Sequence, residues 1–180
     1  DTFIFDSLVG ADRITDFRTV DDTFRFSQAG VRIGDGDTLV EGAALRASSG
    51  GFSASSELVI FTGDVFGDLT TGSAAAAIGS ATSAFASGAA RLYVVDNGAT
   101  TGIYRFVSSG VDAVVSAAEL TLVATADTAA TALELQREVQ HDAGAGHADR
   151  VAERDGPAVD VDLVVVEPEG VSGDGVDTRR

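Results

Sequence analysis

Short apolar segments recur at intervals of about ten residues near the start of the chain, at residues 2–5, 14–17 and 23–26. Phe3 and Phe5 lie two positions apart in the first segment, and Phe24 and Phe26 do so in the third. Because successive side chains of a strand point to opposite faces, this period of two predicts strands with one buried face. Acidic and glycine-containing turns separate the segments, so the sequence predicts an all-β stack.

Two phrases in this region place an aspartate two positions before an apolar residue. Asp1 precedes Phe3 in this way, and Gly10 and Asp12 precede Ile14. Glycine permits a turn with positive φ, and the aspartate carboxylate can face a cation held in that turn. The apolar residue then points into a core. This is the second half of the nonapeptide G-G-x-G-x-D-x-U-x, which builds a calcium-bound parallel β structure.

Together with the sequence Thr15-Asp16-Phe17, these phrases resemble the end of an RTX (hemolysin-type) calcium-binding β-roll. Later phrases resemble the C-terminal region of large type I-secreted surface proteins of Gram-negative bacteria, the region often called a bluetail domain. Those phrases lie at residues 33–38, 52–61, 74–83, 92–98 and 116–123. The resemblance covers about residues 1–135. It implies a non-enzymatic module that caps a β-roll, is exported by a type I secretion transporter, and acts outside the cell or on its surface.

Calcium is the cofactor that these phrases favour. The ion takes six to eight oxygen ligands, several of them carboxylates or backbone carbonyls. The candidate metal ligands are Asp1, Gly10, Asp12, Asp16, Asp35 and Asp37. The alternative is that these Gly-Asp pairs are ordinary turn formers without a metal.

The composition argues against several other functions. The net charge of −16 opposes binding to nucleic acid and to anionic membranes, and no apolar run is long enough to insert into a membrane. The absence of cysteine excludes thiolate metal sites and disulfides. The two histidines, His141 and His147, lie in a polar stretch, and no nucleophile elbow, P-loop or zinc-protease motif is present. We therefore expect no catalytic residues and no enzymatic activity.

The middle of the chain predicts further strands and one helix. The continuous apolar run at 58–62 predicts a fully buried central strand, and residues 38–45 predict another strand. Alanine-rich spacing over 71–87 predicts a helix with Ser73 as its N-cap and Gly88 at its end. Residues 91–96 and 103–107 predict two further strands, which we expect to pair as a hairpin. Ser116 and Glu119 have capping-box spacing before a strand that starts at Leu120.

The predicted fold is therefore mainly β: the end of a β-roll (1–37) leading into a β-sandwich-like cap with one Ala-rich helix (38–135). A disordered acidic C-terminal tail follows (136–180), since every aromatic residue lies before 107 and both prolines lie after 140. The tail departs from the resembling family and is consistent with an abnormal C-terminus. We expect the chain to be the C-terminal fragment of a longer protein. Two alternatives remain: an adhesive or matrix-binding β-domain with structural calcium, and the non-catalytic end of a secreted hydrolase.

Overall fold

The computed structural model of the protein describes residues 1–18, 21–36 and 40–127, together with the backbone of a short strand at 163–166. The structure is mainly β, as predicted. In chain order its elements are β1 (Thr2–Phe5), β2 (Asp12–Ile14), β3 (Thr23–Ser27), β4 (Ala44–Arg46), β5 (Leu58–Asp64), α1 (Thr71–Ile78), β6 (Ala90–Asp96), β7 (Thr101–Val107), a 3₁₀ turn (Ala117–Glu119), β8 (Leu120–Ala126) and β9 (Leu163–Val166).

The described strands form two sheets. The small sheet has the order β1-β3-β9, and both of its pairs are parallel. The large sheet has the order β2-β8-β7-β6-β5-β4. Its central strands β6, β7 and β8 pair antiparallel, whereas β2 pairs parallel with β8, and β5 pairs parallel with both β4 and β6.

The first three strands wind as a coil between the two sheets. The chain leaves β1 in the small sheet, forms β2 in the large sheet, and returns to form β3 beside β1. Thr2 lies opposite Thr23, so one turn of the coil takes 21 residues. The phenylalanines predicted to share a face do so, because Phe3 lies opposite Phe24 and Phe5 opposite Phe26.

The small sheet packs on one face of the large sheet through an apolar layer that we call the inner core. Aromatic rings from the small sheet supply its centre, and Phe5 stacks on Phe26 with ring centroids 5.0 Å apart. Its buried members are Phe5, Ile14, Phe24, Phe26, Val31, Ile33, Leu58, Ile60, Leu92, Val94, Ile103, Val123, Ala124 and Ala126. This layer joins residues from both segments, 1–37 and 38–135, into one packed unit.

The opposite face of the large sheet is covered by α1 and long loops, which form the outer core. Its buried members are Phe52, Ala54, Val59, Phe61, Ala74, Ile78, Ala81, Phe85, Tyr93, Val95, Tyr104, Phe106, Val115 and Leu120. The large sheet is thus apolar on both faces. This explains why the run from Leu58 to Phe61 is continuously buried, as the sequence predicts for a central strand.

The hairpin and the capping box are confirmed. Strands β6 and β7 pair antiparallel, with Asp96 opposite Thr101. In the turn between them, the side-chain oxygen of Asn97 accepts a hydrogen bond from the backbone N–H of Thr100 at 2.9 Å. The Ser116 hydroxyl donates to Glu119 at 2.8 Å in the 3₁₀ turn before β8. The side chains of both turns therefore supply the local hydrogen bonds that start the next strand.

The predicted helix is shorter than its sequence pattern suggests. α1 ends at Ile78, because Gly79 adopts φ +73° and its N–H bonds back to the Ala75 carbonyl. The N-cap is Thr70 rather than Ser73, and Ser73 takes the reciprocal third position of the capping box. Phe85 is buried as expected, but it reaches the outer core from a loop.

Two predicted strand boundaries are also wrong. β2 covers Asp12–Ile14 instead of 14–17, because Phe17 leaves the strand and stacks on Phe24 at 4.3 Å between ring centroids. β4 is limited to Ala44–Arg46, after a break at Gly42 with φ +63°. Residues 38 and 39 of the longer predicted strand (38–45) lie outside the described residues.

The predicted disordered tail lies outside the described residues, with one exception. Leu163–Val166 forms β9 and pairs parallel with β3, with Phe24 opposite Leu163. This segment is apolar throughout (Leu-Val-Val-Val), and its strand adds a third member to the small sheet. Among the described residues, no helix has the length and apolar character needed to cross a membrane.

Candidate functional site

Two of the predicted calcium ligands, Asp12 and Asp16, line one groove. It has a volume of about 290 Å³ and lies between β1 and the segment that begins with β2. The residues that line it are Phe3, Ile4, Phe5, Asp12, Arg13, Ile14, Thr15 and Asp16. The floor is apolar, since Phe5 and Ile14 belong to the inner core. The groove therefore combines an apolar base with two carboxylate-bearing residues.

The other predicted ligands are spread along the chain. Gly10 has φ +83° with open space beside it, which confirms a turn that favours glycine. The Asp1 side chain is 88% exposed, while its amino group lies 2.5 Å from the Asp22 carboxylate. Asp35 lies in a different loop, where its carbonyl accepts a hydrogen bond from Arg32 at 2.8 Å. Asp37 lies outside the described residues.

The described residues alone do not complete a calcium site. Within residues 1–18, 21–36 and 40–127, no three Asp, Glu or His side chains cluster closely enough to hold a metal ion. Calcium needs six to eight oxygen ligands, so the groove would have to gain oxygens from backbone, water or a neighbouring chain segment.

The groove lies where two sheets end together. β1 is the outer strand of the small sheet, and β2 is the outer strand of the large sheet. Among the described strands, β1 and β2 each have one edge without a partner strand, and because residues of both line the same groove, these two edges lie at the same end of the described structure. We call this surface, made of the free edges of β1 and β2 and the groove between them, the open end.

A chain of aromatic rings supports the open end from within. Phe3 lies 6.1 Å from Phe17 and 6.0 Å from Phe24, measured between ring centroids. Phe3 is only partly buried, and Ile4 on the opposite face of β1 is 59% exposed. Apolar surface is thus left uncovered at this end of the sheets.

Arg13 contributes an ion pair that the sequence did not reveal. Its guanidinium donates to both carboxylate oxygens of Asp127, at 2.7 and 3.2 Å, and this contact raises the Arg13 pKa. The two residues lie 114 positions apart. No local spacing could have predicted a pairing that depends on β2 lying beside β8.

Glu57 is a second residue that sequence reasoning missed. It is 4% exposed, and its carboxylate accepts the backbone N–H of Glu41 at 3.0 Å. Burial raises its pKa, although hydrogen bonds from the backbones of Glu41 and Asp35 and the charge of Arg91 oppose the shift. Glu57 therefore binds both sides of the acidic loop that contains Asp35, and it acts as a structural clamp.

Glu119 is a second structural carboxylate, and the sequence predicted only part of its role, the capping box with Ser116. It accepts hydrogen bonds from the backbone and hydroxyl of Ser109, both at 2.7 Å, and from the same groups of Ser116. Desolvation opposes ionisation, but these four hydrogen bonds outweigh it and lower the Glu119 pKa to about 2. The capping-box spacing predicted the contact between Glu119 and Ser116, whereas the contact between Glu119 and Ser109 depends on the tertiary fold.

The two tyrosines bury hydroxyl groups in the outer core. Tyr93 and Tyr104 lie opposite each other on β6 and β7, and neither hydroxyl has a hydrogen-bond partner within the described structure. Burial raises the pKa of both side chains, that of Tyr104 to about 12. These groups are held in their neutral forms by an apolar environment.

Comparisons with protein families, with characterised proteins and with solved structures found no match to this chain.

Proposed function

We propose that the protein is a non-enzymatic C-terminal module of a secreted, calcium-binding surface protein, which closes a parallel β-roll and supports export by a type I secretion transporter. The observation that carries this proposal is the 21-residue parallel coil formed by β1, β2 and β3. A coil that alternates between two sheets is the repeating unit of a roll.

The large sheet supports the closing role. Beside β2, where the next strand of a continuing roll would lie, the sheet instead contains β8. β8 is followed in the sheet by β7 and β6, whose pairs run antiparallel. Parallel winding therefore stops in this sheet after one coil, which suits a module placed at the end of a roll.

Calcium belongs to the same proposal through Asp12 and Asp16. Both line the groove at the open end, where a stacked coil would bring further oxygen ligands. The high negative charge of the chain opposes compaction until cations neutralise it, which suits a protein exported unfolded and folded outside the cell.

A calcium titration of the full chain, followed by circular dichroism and thermal melting, tests this proposal. We expect calcium to raise the melting temperature, and we expect the double variant D12N/D16N to lose most of that rise. The matched control is D68N, which removes one exposed carboxylate outside the groove. An equal response in the groove variant and the control would remove calcium binding from the proposal.

Export is tested separately by fusing residues 1–135 to a passenger protein in cells that carry a type I transporter. The passenger should appear in the medium. A passenger that stays inside these cells, while a known type I substrate leaves them, would contradict the secretion role.

A further inference from the structure

A cavity of about 180 Å³, which we call the α1 pocket, lies where strands β4 and β5 end. Arg46 is the last residue of β4, Asp64 is the last residue of β5, and both line the pocket. Strands β4, β5 and β6 pair parallel, and α1 connects β5 to β6. In open sheets with helical crossovers, ligands bind in the crevice outside the carboxyl ends of the parallel strands. The topology therefore places the α1 pocket where ligand sites commonly form.

Arg46 brings a hydrogen-bond donor without an acceptor to this pocket. Its Nε atom is buried and has no hydrogen-bond partner among the described residues. Asp64 lines the same pocket, yet within the described part of the chain the two side chains form no ion pair. A buried donor that lacks an acceptor destabilises a protein. An oxygen-bearing ligand beside Arg46 would supply the acceptor, and Asp64 would accept a hydrogen bond from the same ligand.

Ser48 and Ser49 add two hydroxyl groups to the rim of the pocket, and both residues are exposed. The Ser49 hydroxyl donates to the Ala76 carbonyl at 3.2 Å, so its oxygen remains available as an acceptor. The rim thus carries a guanidinium, a carboxylate and hydroxyl groups. Such a set can both donate hydrogen bonds to a ligand and accept them from it.

The remaining wall of the pocket is apolar. Phe61 contributes to it from the outer core, where the side chain is only 2% exposed, and Ala47 and Ala77 line the pocket as well. A ligand that fits must therefore combine polar groups around its edge with an apolar face.

The walls of the pocket are held in place by backbone contacts. The Gly50 N–H donates to the Ile78 carbonyl at 2.8 Å, which ties the loop after β4 to the end of α1. A Cβ added at Gly63 would lie 2.7 Å from the Ala47 carbonyl oxygen, so the same loop also packs closely against β5. A site formed before the ligand arrives loses little conformational entropy on binding.

We propose that the α1 pocket binds one neutral pyranose ring that carries free vicinal hydroxyl groups. The guanidinium of Arg46 can donate two parallel hydrogen bonds to neighbouring oxygens, and the C–H face of the ring can cover Phe61. The net charge of −16 disfavours an anionic ligand. The volume lies below the roughly 300 Å³ at which pockets for drug-sized ligands begin, which leaves room for a single ring.

This binding site goes beyond the proposed function. The α1 pocket shares no lining residue with the groove that contains Asp12 and Asp16. Sugar binding therefore requires neither a calcium ion in that groove nor export.

The test is a titration of the isotope-labelled full chain with single sugars, followed by NMR. The probes are the methyl glycosides of glucose, galactose, mannose and fucose, together with N-acetylglucosamine. The resonances to follow are the backbone amides of Ser48 and Gly63 and the Nε–H of Arg46. We expect at least one of these sugars to shift all three resonances along one saturation curve.

Variants of the two charged residues test which groups hold the sugar. Arg46→Met keeps an apolar stem but removes the donors, so it should weaken binding at least about tenfold. Arg18→Met, at an exposed arginine outside the pocket, is the matched control and should leave binding unchanged. Asp64→Asn should also weaken binding, whereas Asp68→Asn, at a neighbouring exposed carboxylate that does not line the pocket, should not.

Several results would overturn the proposal. One is the absence of a saturable shift with every sugar tested, and another is equal sugar affinity in R46M and R18M. A third is equal binding of 2-(hydroxymethyl)tetrahydropyran, which has the ring but lacks the vicinal hydroxyl groups. A fourth is tighter binding of acetate or glycine than of every sugar, because the site would then recognise a carboxylate.

A conservative variant covers the case in which R46M does not fold. Arg46→Lys keeps the charge and the stem but cannot form two parallel hydrogen bonds to neighbouring oxygens, so it should also weaken binding. Unchanged sugar affinity in both R46K and D64N would contradict the proposal.

The titrations are run with calcium and with a chelator, which separates this inference from the proposed function. Sugar shifts without a calcium response or export would leave the pocket and remove the proposed function. A calcium response that depends on Asp12 and Asp16, without any sugar shift, would do the reverse.

Discussion

Single carboxylates fix local structure in this acidic protein. Glu119 holds the loop at Ser109 against the turn at Ser116, and Glu57 clamps the loop around Asp35. Both side chains accept several hydrogen bonds, but their environments shift the pKa in opposite directions. Hydrogen bonds dominate at Glu119, whereas burial dominates at Glu57.

We predict that Glu119→Gln lowers the free energy of unfolding at neutral pH by about 1–3 kcal/mol. The folded-state pKa of about 2 lies below that of the unfolded chain, so the stabilisation is complete above about pH 4.5 and is lost as pH falls toward 2. Urea unfolding of both proteins across this pH range measures the difference. It should shrink on acidification, whereas exposed D68N should show little difference at any pH.

Gly34 is predicted to tolerate substitution less well than Gly10. Both have positive φ, so alanine should cost about 1–2 kcal/mol of backbone strain at either position. At Gly34 an added Cβ would also meet the Glu57 carboxylate, whereas at Gly10 nothing lies within 4 Å. Thermal melts should therefore show a clearly larger loss for G34A. Equal losses would mean that Glu57 moves aside at no cost.

At the scale of elements, α1 shows how caps limit a helix more sharply than composition does. The alanine-rich spacing continues to Phe85, yet the helix has eight residues. Gly79 in a positive-φ conformation ends it, and the chain then turns to bring Phe85 against Phe106, 4.8 Å away between ring centroids. Burying that ring in the outer core prevails over continuing the helix.

Thr70→Ala should destabilise the protein by about 1 kcal/mol, because it removes the side-chain oxygen that accepts the Ser73 N–H at 3.1 Å. The neighbouring Thr71→Ala is the matched control, since Thr71 is the first residue of α1 and is not the N-cap. Chemical denaturation compares the two variants. A loss in T71A as large as in T70A would show that the cap bond is not the cause.

For the molecule as a whole, the large sheet is the shared wall between two cores. Adjacent residues of β5 face opposite ways, so Ile60 lies in the inner core and Val59 in the outer core. Because β5 contributes residues to both cores, unfolding of one core should disrupt the other. We therefore expect the inner core and the outer core of the described part to unfold in one transition.

Ile60→Ala should therefore cost about 2–5 kcal/mol and lower a single unfolding transition. Both tyrosines lie in the outer core, so tyrosine fluorescence reports that layer, whereas far-ultraviolet circular dichroism reports all strands. The two signals should change at the same denaturant concentration in the wild type, in I60A and in the outer-core variant V59A. Separate midpoints in I60A would show that the two layers unfold independently.

The sequence by itself determined the features that depend on neighbouring residues. The alternation of Phe3 and Phe5 fixed an inward face for β1, and the apolar run from Leu58 fixed a strand buried on both sides. The hairpin after Asp96, the capping box at Ser116 and the turn at Gly10 are equally local, since a few φ angles and one side-chain bond specify each of them.

Tertiary structure alone decided which surfaces meet. It paired β1 with β3 in parallel, placed β8 beside β2, and put Asp12 and Asp16 on one groove while leaving Asp1 and Asp35 elsewhere. It also joined Arg13 to Asp127 across 114 positions. These pairings depend on which segments cover the two apolar faces of the large sheet. Segments far apart in the sequence are buried together to cover those faces, and no local periodicity or residue spacing specifies which of them will meet.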